Sequence, residues 1–141
     1  MKQLTQELGS GEMLINDVPP PQAGKGLILV KNHYSVISSG TEGTTVTSAR
    51  KSLLGKARER PQQAKQVIDT VITQGPVQAY RAVKKKLDGL SPLGYSCAGE
   101  VIQVGSDVMG FREGDLVACA GIGFACHAEI ISVPVNLAVK L

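Results

Sequence analysis

The chain has 141 residues, 43% of them apolar and 19% charged, which excludes a disordered chain and suits one domain around one core. No apolar run approaches the ~18–20 residues of a membrane span, and the opening MKQLTQELGSGE lacks the apolar h-region of a secretory signal. The net charge of +3 conceals an imbalance: residues 50–90 carry ten Lys/Arg against three Asp/Glu (+7), and the remainder five against nine (−4).

Three cysteines, Cys97, Cys119 and Cys126, are odd in number and loosely spaced. That suits reduced thiols in the cytoplasm better than a disulfide framework. With no Trp, two Phe and three Tyr, the core must be built from Val, Ile, Leu and Ala.

In chain order, residues 1–8 and 11–18 read as strands joined by a hairpin turn at Gly9-Ser10-Gly11. Pro19-Pro20-Pro21 through Gly26 is a loop, and the β-branched run over 26–37, GLILVKNHYSVI, predicts a central strand. Thr44 to Leu54 reads as a looser helix. Pro61 opens a helical stripe of Ala64, Val67, Ile68, Val71 and Ile72, closed by Gly75. Pro76 opens another, with Val77, Tyr80, Val83 and Leu87 expected inward and Arg81, Lys84, Lys85 and Lys86 outward, stopped by Gly89. Strand signals return at Gly99–Gly105, Leu116–Ala120, His127–Val133 and Asn136–Leu141, with polar reversals at Gly105-Ser106-Asp107 and over residues 111–115. The expected class is α+β, mainly β with a helical insertion.

The basic helices raise nucleic-acid binding. Arg81, Lys84 and Lys85 share a face without neighbouring base-stacking aromatics, and no known motif frames them. Nucleic acid is therefore not an expected partner. A solvated face, or one that meets an acidic surface of another domain or subunit, fits better.

The later β segments carry a pattern. Gly99, Val101, Val104, Gly105, Val108, Gly114, Asp115 and Val117, followed by Ala128, Glu129, Val133 and Pro134, resemble the N-terminal GroES-like domain of the medium-chain dehydrogenase/reductase superfamily. The likeness runs over about residues 1–45 and 92–141. It implies a partly open β-barrel spanning 1–141 with a helical insertion at about 46–90. The insertion, SARKSLLGKARERP, looks like a subgroup in which the domain is part of a larger dehydrogenase, sometimes followed by a Gfo/Idh/MocA-type oxidoreductase domain. The resemblance further implies an NAD(P)-dependent oxidoreductase whose partner is a Rossmann domain of the same full-length protein. The 141 residues contain no G-x-G-x-x-G opening a βαβ unit; Gly121-Ile122-Gly123 lacks the third glycine and precedes a strand signal.

Zinc enzymes of this superfamily place a cysteine ligand in C-G-T-D and a His-Glu pair in G-H-E. Here Ser39-Gly40-Thr41-Glu42 and Gly94-Tyr95-Ser96 stand at those motifs. Zinc takes thiolate, imidazole or carboxylate donors, and neutral hydroxyls are poor substitutes. No metal is therefore expected, and Cys119-x6-Cys126-His127 reads as core and turn. Without a metal, a substrate oxygen must be polarised by hydrogen bonds. The resemblance matches Thr41 to a proton-relaying hydroxyl. From their own chemistry, Tyr95 is the candidate general acid, Ser39, Ser96 and Glu42 are the candidates for substrate binding, and Gly40 is the candidate for cofactor contact.

The structural alternatives are that Tyr95 caps a turn, that Glu42 satisfies a helix N-terminus, and that Glu129 pairs at the strand surface. The expected substrate is a small carbonyl, alcohol or enone compound. No membrane partner is expected, and a homo-oligomer stays open. Two other readings compete: a non-catalytic GroES-like assembly or binding module, and a metal held by Cys97, Cys119 and Cys126.

Overall fold

The computed structural model describes residues 1–40, Gly43, Thr47, Gly55, Arg58 and 61–141, apart from the side chains of Gln63 and Lys86. The expected helix at 44–54 lies outside the described residues except for Thr47. Two compact units are formed, one from Met1–Thr5, Leu14–Ser38 and Pro92–Leu141, the other from Gln6–Met13 and Ser39–Ser91.

The strands are β1 (Lys2–Glu7), β2 (Met13–Asp17), β3 (Leu27–Ser35), β4 (Leu90–Pro92), β5 (Ser96–Val104), β6 (Leu116–Ala120), β7 (Ile130–Pro134) and β8 (Ala138–Lys140). A five-stranded antiparallel sheet has the order β7-β3-β5-β6-β8, and a three-stranded sheet the order β2-β1-β4. The larger sheet curls into a partly open barrel, so the α+β class holds. As expected, β3 is central, paired on one side with β5 and on the other with β7. It stops at Ser35, two residues short of its predicted end, and Val36 and Ile37 are exposed.

Alternation builds the core. Ile28 and Val30 of β3, Cys97 and Val101 of β5, Val117 and Cys119 of β6, and Ile131 and Val133 of β7 point to one side and are all buried. Full burial of each such aliphatic side chain contributes roughly 1.5–3 kcal/mol. Two glycines of the sequence pattern let the backbones close. A Cβ on Gly99 would stand 2.1 Å from the Lys31 carbonyl oxygen, and one on Gly105 would stand 1.8 Å from that of Gly24. The predicted last strand is in fact a 3-10 turn, Val135–Leu137, followed by the short β8.

The second unit contains α1 (Pro61–Gln74) and α2 (Pro76–Leu87), packed against each other. Gly75, at φ 89°, ends α1, and its N–H donates to the Val71 carbonyl. The expected inward face of α2 is corrected here. Ala79 is buried and Val83 and Leu87 are half-buried, whereas Val77 and Tyr80 are 61% and 68% exposed. Positions 79, 83 and 87 lie along one helical row, and the small Ala79 side chain permits close approach there. In α1, Ala64 is half-buried, but Ile68 and Ile72 remain 58% and 76% exposed. The apolar stripe is therefore wider than the seam it fills.

Candidate functional site

The entry to β5 is Gly94-Tyr95-Ser96. Gly94 is buried at φ 95°, and a Cβ there would meet the His127 amide nitrogen at 2.7 Å and its ring Cγ at 2.9 Å. Only glycine both adopts this conformation readily and leaves room for the imidazole. The flanking backbone is tied down: the His127 N–H donates to the Leu93 carbonyl at 2.8 Å, and the Gly121 N–H to the Tyr95 carbonyl at 2.8 Å. Ser96 opens β5 opposite Ala120, and its carbonyl accepts from the Val36 N–H at 3.0 Å. Tyr95 and Ser96 are half-buried and adjacent, at the start of a strand paired on both sides.

Ser39 and Gly40 lie in an exposed turn of the second unit, while Tyr95 and Ser96 belong to the first. Thr41 and Glu42 lie outside the described residues. A Cβ on Gly40 would have no atom of the described residues within 4 Å. The Gly121-Ile122-Gly123 segment is a turn whose neighbouring amides are engaged, since the Phe124 and Ala125 N–H groups both donate to the Gly121 carbonyl.

A site component absent from the sequence reading stands beside Gly94. His127 Nδ1 and Ser35 Oγ share a hydrogen bond of 2.8 Å. Both line a recess of about 360 Å³ in the first unit, together with Lys2, Asn32, His33 and Glu129. The Asn32 amide nitrogen donates to the carbonyls of Ala128 at 2.7 Å and Cys126 at 3.2 Å, which fixes the loop carrying His127. Its Oδ1 is buried without a hydrogen-bond partner among the described residues. Glu129 accepts the Lys2 backbone N–H at 2.8 Å, matching the surface pairing expected of it. A hydroxyl hydrogen-bonded to an imidazole can hold or pass on a proton. Local sequence offers little signal for this pair, because Ser35 and His127 are 92 positions apart.

The cysteines are free and buried. Cys97 and Cys119 stand opposite each other across β5 and β6. The hydrogen bond to Cys119, with burial, holds the Cys97 thiol well above the ordinary thiol range. Gln3 Nε2 donates to the Cys126 sulfur at 3.3 Å. Among the described residues, no group of three His, Cys, Asp or Glu side chains is placed to hold a metal ion.

The family described as the alcohol dehydrogenase GroES-like domain matches residues 64–141, more than half of the chain. Its range begins inside α1 and runs through the pattern from Gly99 to Pro134. Among solved structures, the quinone oxidoreductase from Coxiella burnetii is 24% identical, with a TM-score of 0.60, over 99% of this chain and 36% of that one. The Escherichia coli quinone oxidoreductase complexed with NADPH is 19% identical, with a TM-score of 0.59, over 100% of this chain and 33% of that one. An alcohol dehydrogenase superfamily protein from Novosphingobium aromaticivorans is 22% identical, with a TM-score of 0.60, over 99% and 34%. The chain thus spans about a third of the length of these structures. Comparison with curated proteins finds no match.

Proposed function

Because the chain belongs to the family of alcohol dehydrogenase GroES-like domains, we propose that it forms the substrate side of an NAD(P)-dependent, zinc-independent oxidoreductase of the cytoplasm. The nucleotide is held by a Rossmann domain outside these 141 residues. The observation that carries the reading is the β5 entry, where backbone hydrogen bonds fix Tyr95 and Ser96 and the preceding Gly94 packs on the His127 ring that bonds to Ser35. Zinc independence is supported by donor chemistry: Ser39, Tyr95 and Ser96 stand at the positions of a thiolate, an imidazole and a carboxylate. The NADPH complex of the Escherichia coli quinone oxidoreductase supports the cofactor class. The names of the similar structures favour a quinone beside the small carbonyl, alcohol and enone substrates expected from the sequence.

In this reading Tyr95 donates a hydrogen bond to the substrate oxygen, which stabilises the charge that develops there. Thr41 hands on a proton, Ser39, Ser96 and Glu42 line the substrate, and Gly40 leaves space for the cofactor. The test has three arms. The 141-residue chain alone shows no turnover, and calorimetry detects no NADPH affinity. The full-length protein consumes NAD(P)H with a quinone or enone, and its Tyr95→Phe variant loses roughly a hundredfold in kcat, the low end for general acid catalysis. Tight NADPH binding by the chain alone, or stoichiometric zinc by elemental analysis, would overturn the proposal.

A further inference from the structure

The α1–α2 hairpin presents a surface that the oxidoreductase reading does not use. Around the turn at Gly75, the side chains of Ile68, Ile72, Val77 and Tyr80 are exposed. Arg58, Lys65, Arg81, Lys84 and Lys85 are exposed as well. On α2, residues 77, 81, 84 and 85 fall within one outward arc, opposite the row of Ala79, Val83 and Leu87. Each helix therefore carries an outward arc in which aliphatic side chains stand beside long-stemmed cations, Ile68 and Ile72 with Lys65 on α1, and Val77 with Arg81, Lys84 and Lys85 on α2. Both arcs lie in the segment of net charge +7, while the rest of the chain carries −4.

We infer that this hairpin is a peripheral docking surface for an anionic lipid bilayer. Charge complementarity calls for an anionic partner and disfavours a second copy of the same patch, where two like-charged hairpins would face each other. A nucleic-acid backbone would satisfy the cations but leave the isoleucines in water. A bilayer interface takes both, because lysine and arginine stems reach the headgroups while aliphatic side chains enter the acyl boundary. No described helix is long and apolar enough to cross a membrane, so the hairpin lies on the surface and does not span it. This proposal departs from the sequence expectation of no membrane partner, which weighed spanning segments and not an amphipathic surface.

The experiment is sedimentation of the 141-residue chain with vesicles of equal parts phosphatidylglycerol and phosphatidylcholine, and with pure phosphatidylcholine vesicles. The chain sediments with the anionic vesicles only, and added salt weakens binding. Lys84→Gln/Lys85→Gln weakens partitioning by about thirtyfold, from two lost lipid-facing charges. Ile68→Ser/Ile72→Ser weakens it further at every salt concentration. All four positions are exposed, and far-UV circular dichroism confirms that the helices persist. Failure to bind anionic vesicles overturns the inference. So does binding to heparin or a DNA duplex at least as tight as to vesicles, with no effect of the isoleucine changes, which would assign a polyanion site. Polyglutamate binding that outcompetes the vesicles would assign an acidic protein partner instead. None of these results bears on the oxidoreductase reading, whose test is NADPH and turnover.

Discussion

Replacing Gly99 by alanine adds one methyl group in the middle of β5. That methyl would stand 2.1 Å from the Lys31 carbonyl oxygen, 2.9 Å from its carbon and 3.0 Å from the Asn32 Cα. All three neighbours are backbone, so no rotamer change relieves the overlap. Gly99 does not need a left-handed φ, so the penalty is steric rather than torsional. Restoring ordinary contact requires β3 and β5 to separate by about 1 Å where Asn32 faces Gly99. Overpacking of this kind costs about 1–3 kcal/mol. Stretching two ladder hydrogen bonds adds roughly 0.5–1.5 kcal/mol each. The expected loss is about 2–6 kcal/mol, a large part of the roughly 5–15 kcal/mol available to a domain. Urea unfolding followed by far-UV circular dichroism measures it, with Gly40→Ala as a control where an added Cβ meets no atom of the described residues within 4 Å. The control stays within about 0.5 kcal/mol of the parent. A Gly99→Ala loss below about 0.5 kcal/mol, with an unchanged denaturant slope, would refute the close-approach argument.

Other outcomes follow from the same structure. Asp115 accepts from Lys140 Nζ at 2.6 Å and from the Arg112 backbone N–H at 2.9 Å, and these partners hold its carboxyl below the usual carboxylate range. A depressed folded-state value stabilises the fold above the unfolded-state pKa, about 3.9, and that stability is lost as pH falls through the folded value. Asp115→Asn should therefore unfold at lower urea near neutral pH, with the difference shrinking below about pH 4; a constant difference across that range would refute the linkage. The three cysteines are at most 5% exposed, and Cys97 is pushed toward the unreactive thiol by its hydrogen bond and burial. Iodoacetamide followed by mass spectrometry should find no rapid adduct on the folded chain and three on the chain in guanidinium; fast labelling of the folded chain would contradict the buried placement. Asn32→Leu removes the donor shared by the Cys126 and Ala128 carbonyls and should cost about 1–3 kcal/mol by urea titration. An unchanged midpoint would show that water replaces the amide.

Legibility differed between levels for physical reasons. Period-two alternation in β3, β5, β6 and β7 reports which side chains leave the pleat on the same side. The central place of β3, the hairpin at Gly9-Ser10-Gly11 and the glycine stop after α1 were accordingly readable from local chemistry. Gly99 and Gly105 were readable as a family pattern, but the carbonyl oxygens that exclude a side chain there come from residues 31 and 24. The short β4 was missed because LSP has no alternation long enough to signal a strand. The inward face of α2 was misplaced because spacing reports an apolar arc and not which part of it meets a neighbour. Packing along Ala79, Val83 and Leu87 decided that.

The candidate site divides the same way. Residue chemistry alone determined that Ser39, Tyr95 and Ser96 are poor metal ligands, because donor strength belongs to the side chain itself. Only tertiary structure decided that His127 packs on Gly94 and bonds to Ser35, since that contact depends on how loop 125–129 returns to the end of β3. The sequence by itself determined strands interrupted by a basic helical insertion, through periodicity and charge, while the barrel was implied by the resemblance to GroES-like domains. The fold alone determined which polar groups share a recess and which apolar side chains face water, because both follow from distances between residues far apart in the chain.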